Sequence, residues 1–311
     1  MNTIVTGGAG FIGSHLVDAL VKYGHRVFVI DDLSHGRKEY INKKAKFLKV
    51  DIRSKKILKI FKNAKPTAVF HLAAQMNLEK SKKDPGHDAD VNILGSLNVI
   101  QAAQEAGVKK FTFASTAGVY GNTKQIPAPE RTELRPPSPY GLAKLTVERY
   151  LEIISHARGS FRAASASRIN YTILRFSNVY GPRQDSSGEG GVVAIFARQL
   201  ARGQSVAING SGRQTRDFIY VGDIVGACLK TLTLKKSGVY NVSTTQETSI
   251  NDLFAVLLKI SGKSVEPKHG RALPGEQKRS ALDNRKIKTG LKWQPKVELE
   301  AGLKKTYQWF K

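Results

Sequence analysis

Four side chains near the middle of the sequence have the types and spacing that proton transfer at an alcohol carbon requires. Tyr140 and Lys144 are four residues apart, so a helix here would place both on one face. A nearby ammonium favours the tyrosinate, which should lower its pKa from about 10 and make Tyr140 a usable base. Ser115 and Thr116, at the end of a predicted strand, would add hydroxyls beside the phenol. Together the four residues predict a site that moves a proton and a hydride at a carbinol carbon.

A glycine-rich loop near the start of the chain indicates what accepts the hydride. Gly7, Gly10 and Gly13 lie between a β-branched run and a helical pattern. Glycines so placed allow a tight turn, close approach to a pyrophosphate and a helix N-terminus aimed at that anion. Asp31 follows Gly13 by 18 residues, at the end of the next predicted strand, where a carboxylate binds a ribose hydroxyl. Its charge would repel a 2′-phosphate, so we expect NAD, whose positive nicotinamide would further favour the tyrosinate.

Other polar residues end neighbouring predicted strands. Asp51 follows the third strand and could meet the adenine edge; a helix N-cap is the alternative. Asp32 is either a cofactor ligand or a turn residue. The small residues after His71 let a loop lie against a dinucleotide, and we interpret His71 itself as a core histidine rather than a catalyst.

The elements that must position these residues alternate in the first half of the chain. Predicted strands cover residues 3–6, 27–30, 47–50, 68–72, 110–114 and 173–176, and the main predicted helices cover residues 14–23, 92–106 and 141–154. Short apolar strands alternating with helices predict an α/β fold with a Rossmann-type doubly wound parallel sheet. We therefore expect an NAD-binding domain at residues 1–176.

After residue 176 the alternation weakens. Helices are predicted at residues 192–201, 251–260 and 299–310, with a short strand at residues 205–208. This pattern predicts a smaller mixed α/β substrate domain at residues 177–311, with segments near residues 215–245 packing back on the first domain. Residues 157–168, rich in small and basic side chains, are interpreted as a surface insertion.

Composition excludes several classes of protein. The 311 residues are 41% apolar, which suits a globular chain and not a disordered one. No apolar run approaches the roughly 18 residues of a membrane span, so no membrane partner is expected. Residues 1–5 enter a strand pattern with no basic leader, and the single cysteine, Cys228, fits a reducing compartment and argues against a zinc cage. We expect a cytoplasmic protein without a metal site.

The basic charge needs a separate interpretation. Lys and Arg total 50 against 25 Asp and Glu, giving +25, and residues 38–65 and 263–311 hold 11 and 13 of those cations. Nucleic-acid binding is the less favoured interpretation, because aromatic or glycine-rich segments do not interleave with the charges. Solvated helix and loop faces are favoured; general attraction for anionic substrates is the third possibility.

With these residues in place, the sequence resembles the UDP-glucose (UDP-galactose) 4-epimerases of the extended short-chain dehydrogenase/reductase superfamily. The resemblance covers nearly the whole chain and lies in residues 6–13, 71–75, 91–95, 115–121, 140–144, 174–183, 216–221 and 299–303. It implies that Tyr140 deprotonates the C4 hydroxyl of a UDP-sugar, with Thr116 bridging and Lys144 holding the nicotinamide ribose. Hydride passes to NAD and returns to the other face of the 4-keto sugar. A homodimer through the helices at residues 92–106 and 142–154 is also implied.

The resemblance implies two sets of binding residues. Those for the cofactor are Gly7, Gly10, Phe11, Ile12, Gly13, Asp31, Asp32, Ser34, Gly36, Asp51, Ile52, Leu72, Ala73, Ala74, Gln75, Asn92, Ser115, Tyr140, Lys144 and Phe176. Those for the substrate are Thr116, Tyr140, Asn178, Val192, Asn209, Arg216, Arg271 and Glu276. Arg216 would contact the diphosphate; a surface ion pair with Asp217 is the alternative.

Departures from the family pattern qualify the substrate. Ala117 and Gly118 stand where sugar dehydratases carry an acid, which disfavours dehydration. Leu273 replaces a phosphate-binding arginine, for which Arg271 is a candidate substitute. Ser280 is small where some relatives carry a bulky residue, so N-acetylated UDP-sugars would fit. A UDP-glucuronate 4-epimerase or decarboxylase, and a non-catalytic Rossmann-fold protein that binds RNA, remain the alternatives.

Overall fold

The computed structural model describes residues 1–156, 169–187, 191–272 and 277–311. The predicted insertion at residues 157–168 lies outside these ranges, as do Leu273 and Glu276.

The strands are, in chain order, β1 (Asn2–Thr6), β2 (Arg26–Asp31), β3 (Lys46–Lys49), β4 (Ala68–His71), β5 (Lys110–Thr116), β6 (Asn170–Phe176), β7 (Asn178–Tyr180), β8 (Ala207–Asn209), β9 (Thr215–Arg216), β10 (Phe218–Tyr220), β11 (Gly238–Val242), β12 (Thr248–Ser249), β13 (Lys268–Gly270) and β14 (Arg279–Ser280). The α-helices are α1 (Phe11–Lys22), α2 (Lys56–Ala64), α3 (Leu78–Lys83), α4 (Pro85–Ala89), α5 (Ser96–Glu105), α6 (Pro139–His156), α7 (Val192–Ala201), α8 (Val221–Thr231), α9 (Ile250–Ser261), α10 (Arg285–Leu291) and α11 (Leu299–Phe310). A π-helical turn covers Asp90–Gly95, and one-turn 3₁₀ helices cover Lys38–Tyr40 and Ala117–Val119.

A seven-stranded sheet carries the predicted cofactor residues. Its strand order is β11-β6-β5-β4-β1-β2-β3, so the winding direction reverses between β1 and β4. The register is parallel, with Thr6 opposite His71 and Ile30 opposite Thr6. Ligands of such sheets bind beyond the carboxyl ends of the strands at the reversal point. The predicted Rossmann-type doubly wound sheet is confirmed.

Burial explains why these segments form strands. Ile4 and Val5 in β1 and Val69 and Phe70 in β4 are fully buried, as expected for a parallel sheet covered on both faces. Side chains of α2 and α5, among them Ile57 and Val99, complete that core. The apolar runs in the sequence therefore gave six of the seven strands.

The sequence prediction missed the seventh strand of this sheet and left several helices without bounds. The sequence does not predict β11, which is the outer strand next to β6, nor does it give the bounds of α2, α3, α4, α8 and α10. The predicted helix at residues 92–106 was wrong at its start, because the π-helical turn Asp90–Gly95 precedes α5.

The chain divides into two compact units. The first unit comprises Met1–Val119, Leu134–Arg175 and Val225–Tyr240. The second unit comprises Tyr120–Glu133, Phe176–Ile224 and Asn241–Lys311. Assignment of the cofactor to residues 1–176 and of the substrate to residues 177–311 stays a prediction.

The second unit has its own core and its own small sheets. Helices α7, α9 and α11 pack together through side chains such as Phe196, Leu257 and Leu303. β9 lies between β12 and β14, and β13 pairs with β8. These short pairings hold Arg216 and Asn209 at fixed register positions.

Candidate active site

The glycine loop has space only for glycine at two of its three predicted positions. Gly7 has a φ of +69°, and a Cβ there would lie 2.6 Å from the backbone nitrogen of Ala73. A Cβ at Gly13 would lie 2.0 Å from the Gly7 carbonyl oxygen, so the start of α1 packs directly onto the loop. At Gly10 the contact is looser, since a Cβ there would lie 3.3 Å from that oxygen.

The first turn of α1 is suited to bind an anion. Gly10 is its N-cap, and within the described ranges no side chain caps the helix there. The first amides of a helix have no intrahelical acceptor, and Phe11 and Ile12 provide such amides here. A loop this tight, ending in uncapped amides, fits the pyrophosphate of a dinucleotide.

Asp31 holds the neighbouring loop in place. Its carboxylate is 7% exposed and accepts hydrogen bonds from the backbone N–H groups of Ala9 and Leu33, each at 2.9 Å. Burial raises the pKa of Asp31, and the two backbone donors oppose that rise. A Cβ at Gly36 would lie 2.7 Å from Asp31 Oδ1, so the loop crosses close to this carboxylate. A carboxylate so placed at the end of β2 is suited to accept from ribose hydroxyls.

Asp32 is a turn residue, which was one of the two interpretations that the sequence offered for it. Its exposed carboxylate accepts from the backbone N–H of Ser34 at 2.9 Å and from the Ser34 hydroxyl at 2.7 Å. Contact of either residue with the cofactor stays a prediction.

The helix N-cap alternative for Asp51 was wrong. Helix α2 begins at Lys56, and Asp51 instead accepts hydrogen bonds from the backbone and guanidinium of Arg53. That guanidinium lowers the pKa of Asp51 and also pairs with Asp90 at 2.6 Å. Ile52 is buried, and a Cβ at Gly95 would lie 2.8 Å from its side chain.

His71 is a core residue, in agreement with the sequence interpretation. Its ring is fully buried between the hydroxyls of Thr6 and Ser96, at 2.6 and 2.9 Å. Burial, with the positive charge of Lys144 second, lowers the pKa of His71 to about 3. The neutral ring stacks on Phe113 with centroids 5.8 Å apart, and the Lys144 ammonium lies over the same Phe113 ring.

Amide side chains fix the loop that follows β4. Asn92, on the π-helical turn, accepts from the Gln75 N–H and donates to the Gln75 carbonyl, both at 2.9 Å. Leu72, Ala73 and Ala74 precede this clamp and are partly buried. The clamp sets the path of the backbone that crosses Gly7.

The Tyr–Lys pair lies on α6, as predicted. Lys144 is 3% exposed, and its ammonium donates to the Ala114 carbonyl at 2.9 Å. The Lys144 Nζ lies 4.8 Å from the ring centroid of Phe113 and 5.8 Å from that of Tyr140. Burial lowers the pKa of Lys144 to about 8, while the carboxylates of Asp88 and Glu148 oppose the fall.

The predicted fall in the pKa of Tyr140 was wrong for the protein chain alone. Loss of solvation raises the pKa of this half-buried phenol to about 12, and the carboxylate of Asp88 adds to the rise. The prediction invoked Lys144 and the positive nicotinamide together, and the Lys144 ammonium donates to the carbonyl of Ala114. Ionisation of Tyr140 therefore needs a positive charge beyond those on the chain.

The loop after β5 reaches the start of α6. Thr116 Oγ1 accepts from the Gly118 N–H at 3.1 Å. A Cβ at Gly141 would lie 3.1 Å from the Gly118 carbonyl oxygen, so glycine at position 141 lets the helix approach the loop. The structure thus brings the segments that carry Thr116 and Tyr140 together.

Ser115 points into a buried ion pair. Its hydroxyl donates to Glu148, whose carboxylate also accepts from Arg175 Nη2 at 2.5 Å. The side chains of Arg175 and Glu148 are 3% and 1% exposed. Ser115 would therefore meet the cofactor through its main chain, not through the predicted hydroxyl.

In the second unit, the predicted substrate residues lie on or beside short strands. Arg216, on β9, is half-buried, donates to the Thr215 carbonyl at 2.8 Å and pairs in register with Ser280. Asn209 is exposed on β8 beside Gly270, which puts the exposed Arg271 next in sequence at the same edge. The predicted contacts of these residues with substrate stay predictions.

Three further predicted residues are placed individually. Asn178 is exposed on β7, Val192 is partly buried at the start of α7, and Phe176 is buried at the end of β6. Glu276 lies outside the described residues.

The alternative pairing of Arg216 with Asp217 as a surface ion pair was wrong. Asp217 is fully buried, and its carboxylate accepts from the N–H groups of Thr244 and Thr245 and from the Thr244 hydroxyl. Asp217 therefore holds the turn after β11.

Sequence reasoning missed three charged residues around the Tyr–Lys pair. Glu148 is four residues after Lys144 on α6, so the same helical spacing could have found it. Arg175 and Asp88 carry no such signal, because only the packing of separate segments brings them close.

In the described ranges no helix has both the length and the apolar character needed to cross a membrane. The same part of the chain holds no group of three or more His, Cys, Asp and Glu residues that could bind a metal ion.

A glycine loop at the reversal point of a doubly wound sheet, with a Tyr–Lys pair on α6, is the arrangement of the extended short-chain dehydrogenase/reductase superfamily. Within this class, the chain belongs to the NAD dependent epimerase/dehydratase family, whose model matches residues 3–243. The cofactor is accordingly NAD, and the glycine loop, the first turn of α1 and Asp31 would hold it.

Individual relatives are similar over the full length. A UDP-glucose 4-epimerase from Mycolicibacterium smegmatis is 38% identical over 318 residues, covering 100% of this chain and 99% of the relative. The crystal structure of a Thermotoga maritima UDP-glucose 4-epimerase with UDP-glucose matches with a TM-score of 0.95 and 44% identity, over 100% and 98% of the two chains. A Thermus thermophilus UDP-glucose 4-epimerase in complex with NAD matches with a TM-score of 0.91 and 37% identity, over 100% and 99%.

Proposed function

We propose that this protein is a nucleotide-sugar epimerase that inverts C4 of a UDP-hexose, with UDP-glucose and UDP-galactose as its substrate pair. The observation that carries the proposal is the pair of Tyr140 and the buried Lys144 on α6, packed against the loop that carries Thr116. Full-length similarity to proteins described as UDP-glucose 4-epimerases supports it. When bound, NAD would supply the hydride acceptor and donor that inversion at C4 requires.

Tyr140 acts as the acid and base in this proposal. Its phenolate takes the proton of the C4 hydroxyl. After the 4-keto sugar has turned its other face to the hydride donor, the phenol returns the proton to the 4-keto oxygen. Because the chain alone raises the pKa of Tyr140 to about 12, the phenolate depends on a bound cationic group. Proton transfer is thereby restricted to the loaded site.

Lys144 supplies the positive charge of the chain itself. Its bond to the Ala114 carbonyl fixes the ammonium between β5 and the start of α6. With a pKa of about 8, it is charged at neutral pH and loses its charge above that value. Activity should therefore fall on the alkaline side.

The loop after β5 favours epimerisation over dehydration. Thr116 can bridge Tyr140 and the sugar by hydrogen bonds, and Ala117 and Gly118 offer no carboxylic acid to eliminate water from the sugar. We therefore expect the 4-keto sugar to be reduced again and not dehydrated.

The diphosphate would be bound by the second unit. Arg216 presents a half-buried guanidinium at a fixed register, and Arg271 follows the β13–β8 pair in the place of the arginine missing at Leu273. Ser280, opposite Arg216, is small, which leaves room for N-acetylated substrates as a second class.

The experiment is a panel of UDP-sugars incubated with the purified protein without added reductant and separated by chromatography. The expected result is interconversion of UDP-glucose and UDP-galactose to one equilibrium mixture from either side. The panel includes the UDP-N-acetylhexosamines and UDP-glucuronate. Turnover of UDP-glucuronate alone, or of no UDP-sugar, would contradict the proposal.

We propose further that the protein is a homodimer through the face that carries α6. Leu142, Tyr150 and Ile153 on this helix and Leu94 on the π-helical turn are large apolar side chains left exposed. Exposed apolar side chains grouped on adjacent elements are typical of an interface. Light scattering should give the mass of two chains for the wild type and of one chain for Ile153→Glu; a monomeric wild type would refute this proposal.

A cytoplasmic location is the last part of the proposal. Cys228 is buried and free, which suits a reducing compartment. Recovery of the protein in the membrane or secreted fraction of its host cell would contradict it.

A further inference from the structure

Asp88 is a buried carboxylate that has no role in the proposed mechanism. It lies on α4, which packs against α3, the π-helical turn and α6. The side chain is 1% exposed, although aspartate is seldom fully buried unless it is paired. Its position next to the helix of Tyr140 and Lys144 therefore calls for an explanation.

The two oxygens of this carboxylate have different surroundings. Oδ1 accepts from Gln75 Nε2 at 3.0 Å and from Asn92 Nδ2 at 3.1 Å. Oδ2 is buried and has no hydrogen-bond partner among the residues that the structure describes. The two amide donors satisfy Oδ1, but they are neutral and do not compensate the negative charge of the carboxylate.

The donors to Oδ1 belong to a rigid frame. Gln75 Nε2 also donates to the Asn77 carbonyl at 3.0 Å, and the Asn77 N–H donates back to Gln75 Oε1 at 2.5 Å. Asn92 is bonded to the Gln75 backbone in both directions. Asp88 is therefore held in one place relative to the backbone around it, and its field on α6 is fixed in direction.

The charged groups around Asp88 come from four elements. On α6 these are Tyr140, Lys144 and Glu148; on α3 they are Glu79, Lys80, Lys82 and Lys83; on the π-helical turn there is Asp90, and on α4 and its N-cap there are His87 and Asp84. The α3 charges are exposed, and Asp90 pairs with Arg53. Glu148 is already paired with Arg175. The ionisable groups on α6 that remain to interact with Asp88 are Tyr140 and Lys144. Its carboxylate adds to the rise in the pKa of Tyr140 and opposes the fall in the pKa of Lys144.

We propose that Asp88 is a positioning residue for the Tyr140–Lys144 pair: its fixed negative charge keeps Lys144 an ammonium and sets the pH range in which Tyr140 exchanges its proton. The inference deepens the proposed epimerase function and rests on it. Asp88 touches neither substrate nor reacting atoms in this role. It acts through the charge that the Gln75–Asn92 frame holds in place.

Removing this charge has a definite sign. A negative charge favours the protonated forms of a phenol and of an amine alike. Asp88→Asn should therefore let both groups lose their protons more easily. The acid and the alkaline limbs of the pH profile should move in the same direction, towards lower pH. A carboxylate that served only to hold the fold would change the height of the profile and not its position.

The test compares the pH profiles of kcat/KM for wild type, Asp88→Asn and Asp88→Glu. Asparagine keeps an oxygen for the two amide donors, and both limbs should move to lower pH by about one pH unit. Asp88→Glu, which retains the charge, should return the limbs towards their wild-type positions. Glu79→Gln, the same chemical change at an exposed site on α3, is the matched control and should leave the profile in place. Unmoved limbs in Asp88→Asn would overturn the proposal.

A second readout does not depend on epimerase activity. The tyrosinate absorbance of the purified protein is titrated with and without Tyr140→Phe, and the difference isolates the ionisation of Tyr140. In an Asp88→Asn background this step should appear at lower pH; an unchanged step would overturn the proposal even if the wild type epimerises UDP-sugars. If the wild type turns over no UDP-sugar, the proposed function fails while this titration still decides the effect of Asp88. Should Asp88→Asn not fold, Asp88→Ser removes the same charge and must give the same displacement.

Discussion

Around Tyr140 and Lys144 the functional side chains are enclosed, whereas around Arg216 and Arg271 they lie on or beside short strands with access to solvent. Lys144, Glu148 and Asp88 are at most 3% exposed. Arg271 and Asn209 are exposed, and Arg216 is half-buried. The first region belongs to one compact unit and the second region to the other.

The difference reflects what each region has to do. A tyrosine acts as a base near neutral pH only when fixed neighbouring charges lower its pKa from about 10, and burial strengthens the effect of such charges. A diphosphate, in contrast, is met by guanidinium groups that must first remain hydrated and accessible. We therefore expect substitutions in the enclosed region to have larger effects than substitutions in the accessible region. In the enclosed region the loss should be in turnover or in folding stability.

The largest effect is expected at the proton-transfer residue. Tyr140→Phe removes only the phenolic oxygen, which takes and returns the proton in the proposed mechanism. We therefore expect kcat to fall by about 10²–10⁴-fold while bound NAD is retained. Tyr23→Phe, at an exposed tyrosine outside the proposed site and the proposed interface, is the control and should keep wild-type turnover. Progress curves with UDP-glucose and the cofactor absorbance of the purified variants measure both quantities. Near-normal turnover in Tyr140→Phe would mean that another group moves the proton.

The buried ion pair should give the largest loss of stability. Glu148→Gln leaves the Arg175 guanidinium enclosed without its counter-charge, which should lower the free energy of unfolding by about 3–5 kcal/mol. Glu152→Gln breaks a pair with Arg149 that is largely accessible to solvent, and should cost about 1 kcal/mol or less. Urea-induced unfolding of both variants gives the comparison. Equal losses would show that enclosure does not distinguish the two carboxylates.

In the accessible region, Arg216 should carry the main effect. Arg216→Ala would remove the proposed charged hydrogen bond to the diphosphate, so KM for UDP-glucose should rise by about 10–100-fold with little change in kcat. Arg213→Ala, at an exposed arginine of the same segment, should alter KM less than about threefold. Steady-state kinetics separate KM from kcat. A fall in kcat alone for Arg216→Ala would place this residue in the chemistry instead of in binding.

The smallest effect is expected at Arg271. If it substitutes for the arginine missing at Leu273, Arg271→Ala should raise KM by about three- to tenfold, because an exposed charge is screened by water. Raising the salt concentration should reduce the difference between the variant and the wild type. No change in KM at low salt would remove Arg271 from the substrate site.

Local sequence patterns predicted the elements that carry the chemistry. The spacing of Gly7, Gly10 and Gly13 after an apolar run was sufficient to place the cofactor loop between β1 and α1. The four-residue spacing of Tyr140 and Lys144 placed both on α6. Such features depend on residues close together in the chain, for which helical and strand periodicities are informative.

What the sequence did not reveal depends on packing between distant segments. Asp88 and Arg175 become parts of the site only when α4 and β6 meet α6, and the sign of the Tyr140 pKa change follows from that burial. β11 lies at the outer edge of the sheet and is short, with three of its five residues only partly buried, so its apolar signal is weak. The bond from the Ser115 hydroxyl to Glu148 also depends on packing between distant segments, since the chain encloses both side chains.

The central claim is that one bound cofactor takes the C4 hydride and gives it back to the same sugar. The most direct test is to incubate the purified protein with UDP-glucose that carries deuterium at C4, in ordinary water, and to locate the label in the UDP-galactose formed. We expect the deuterium to remain at C4 of the product. Loss of the label to solvent, with hydrogen in its place, would contradict it.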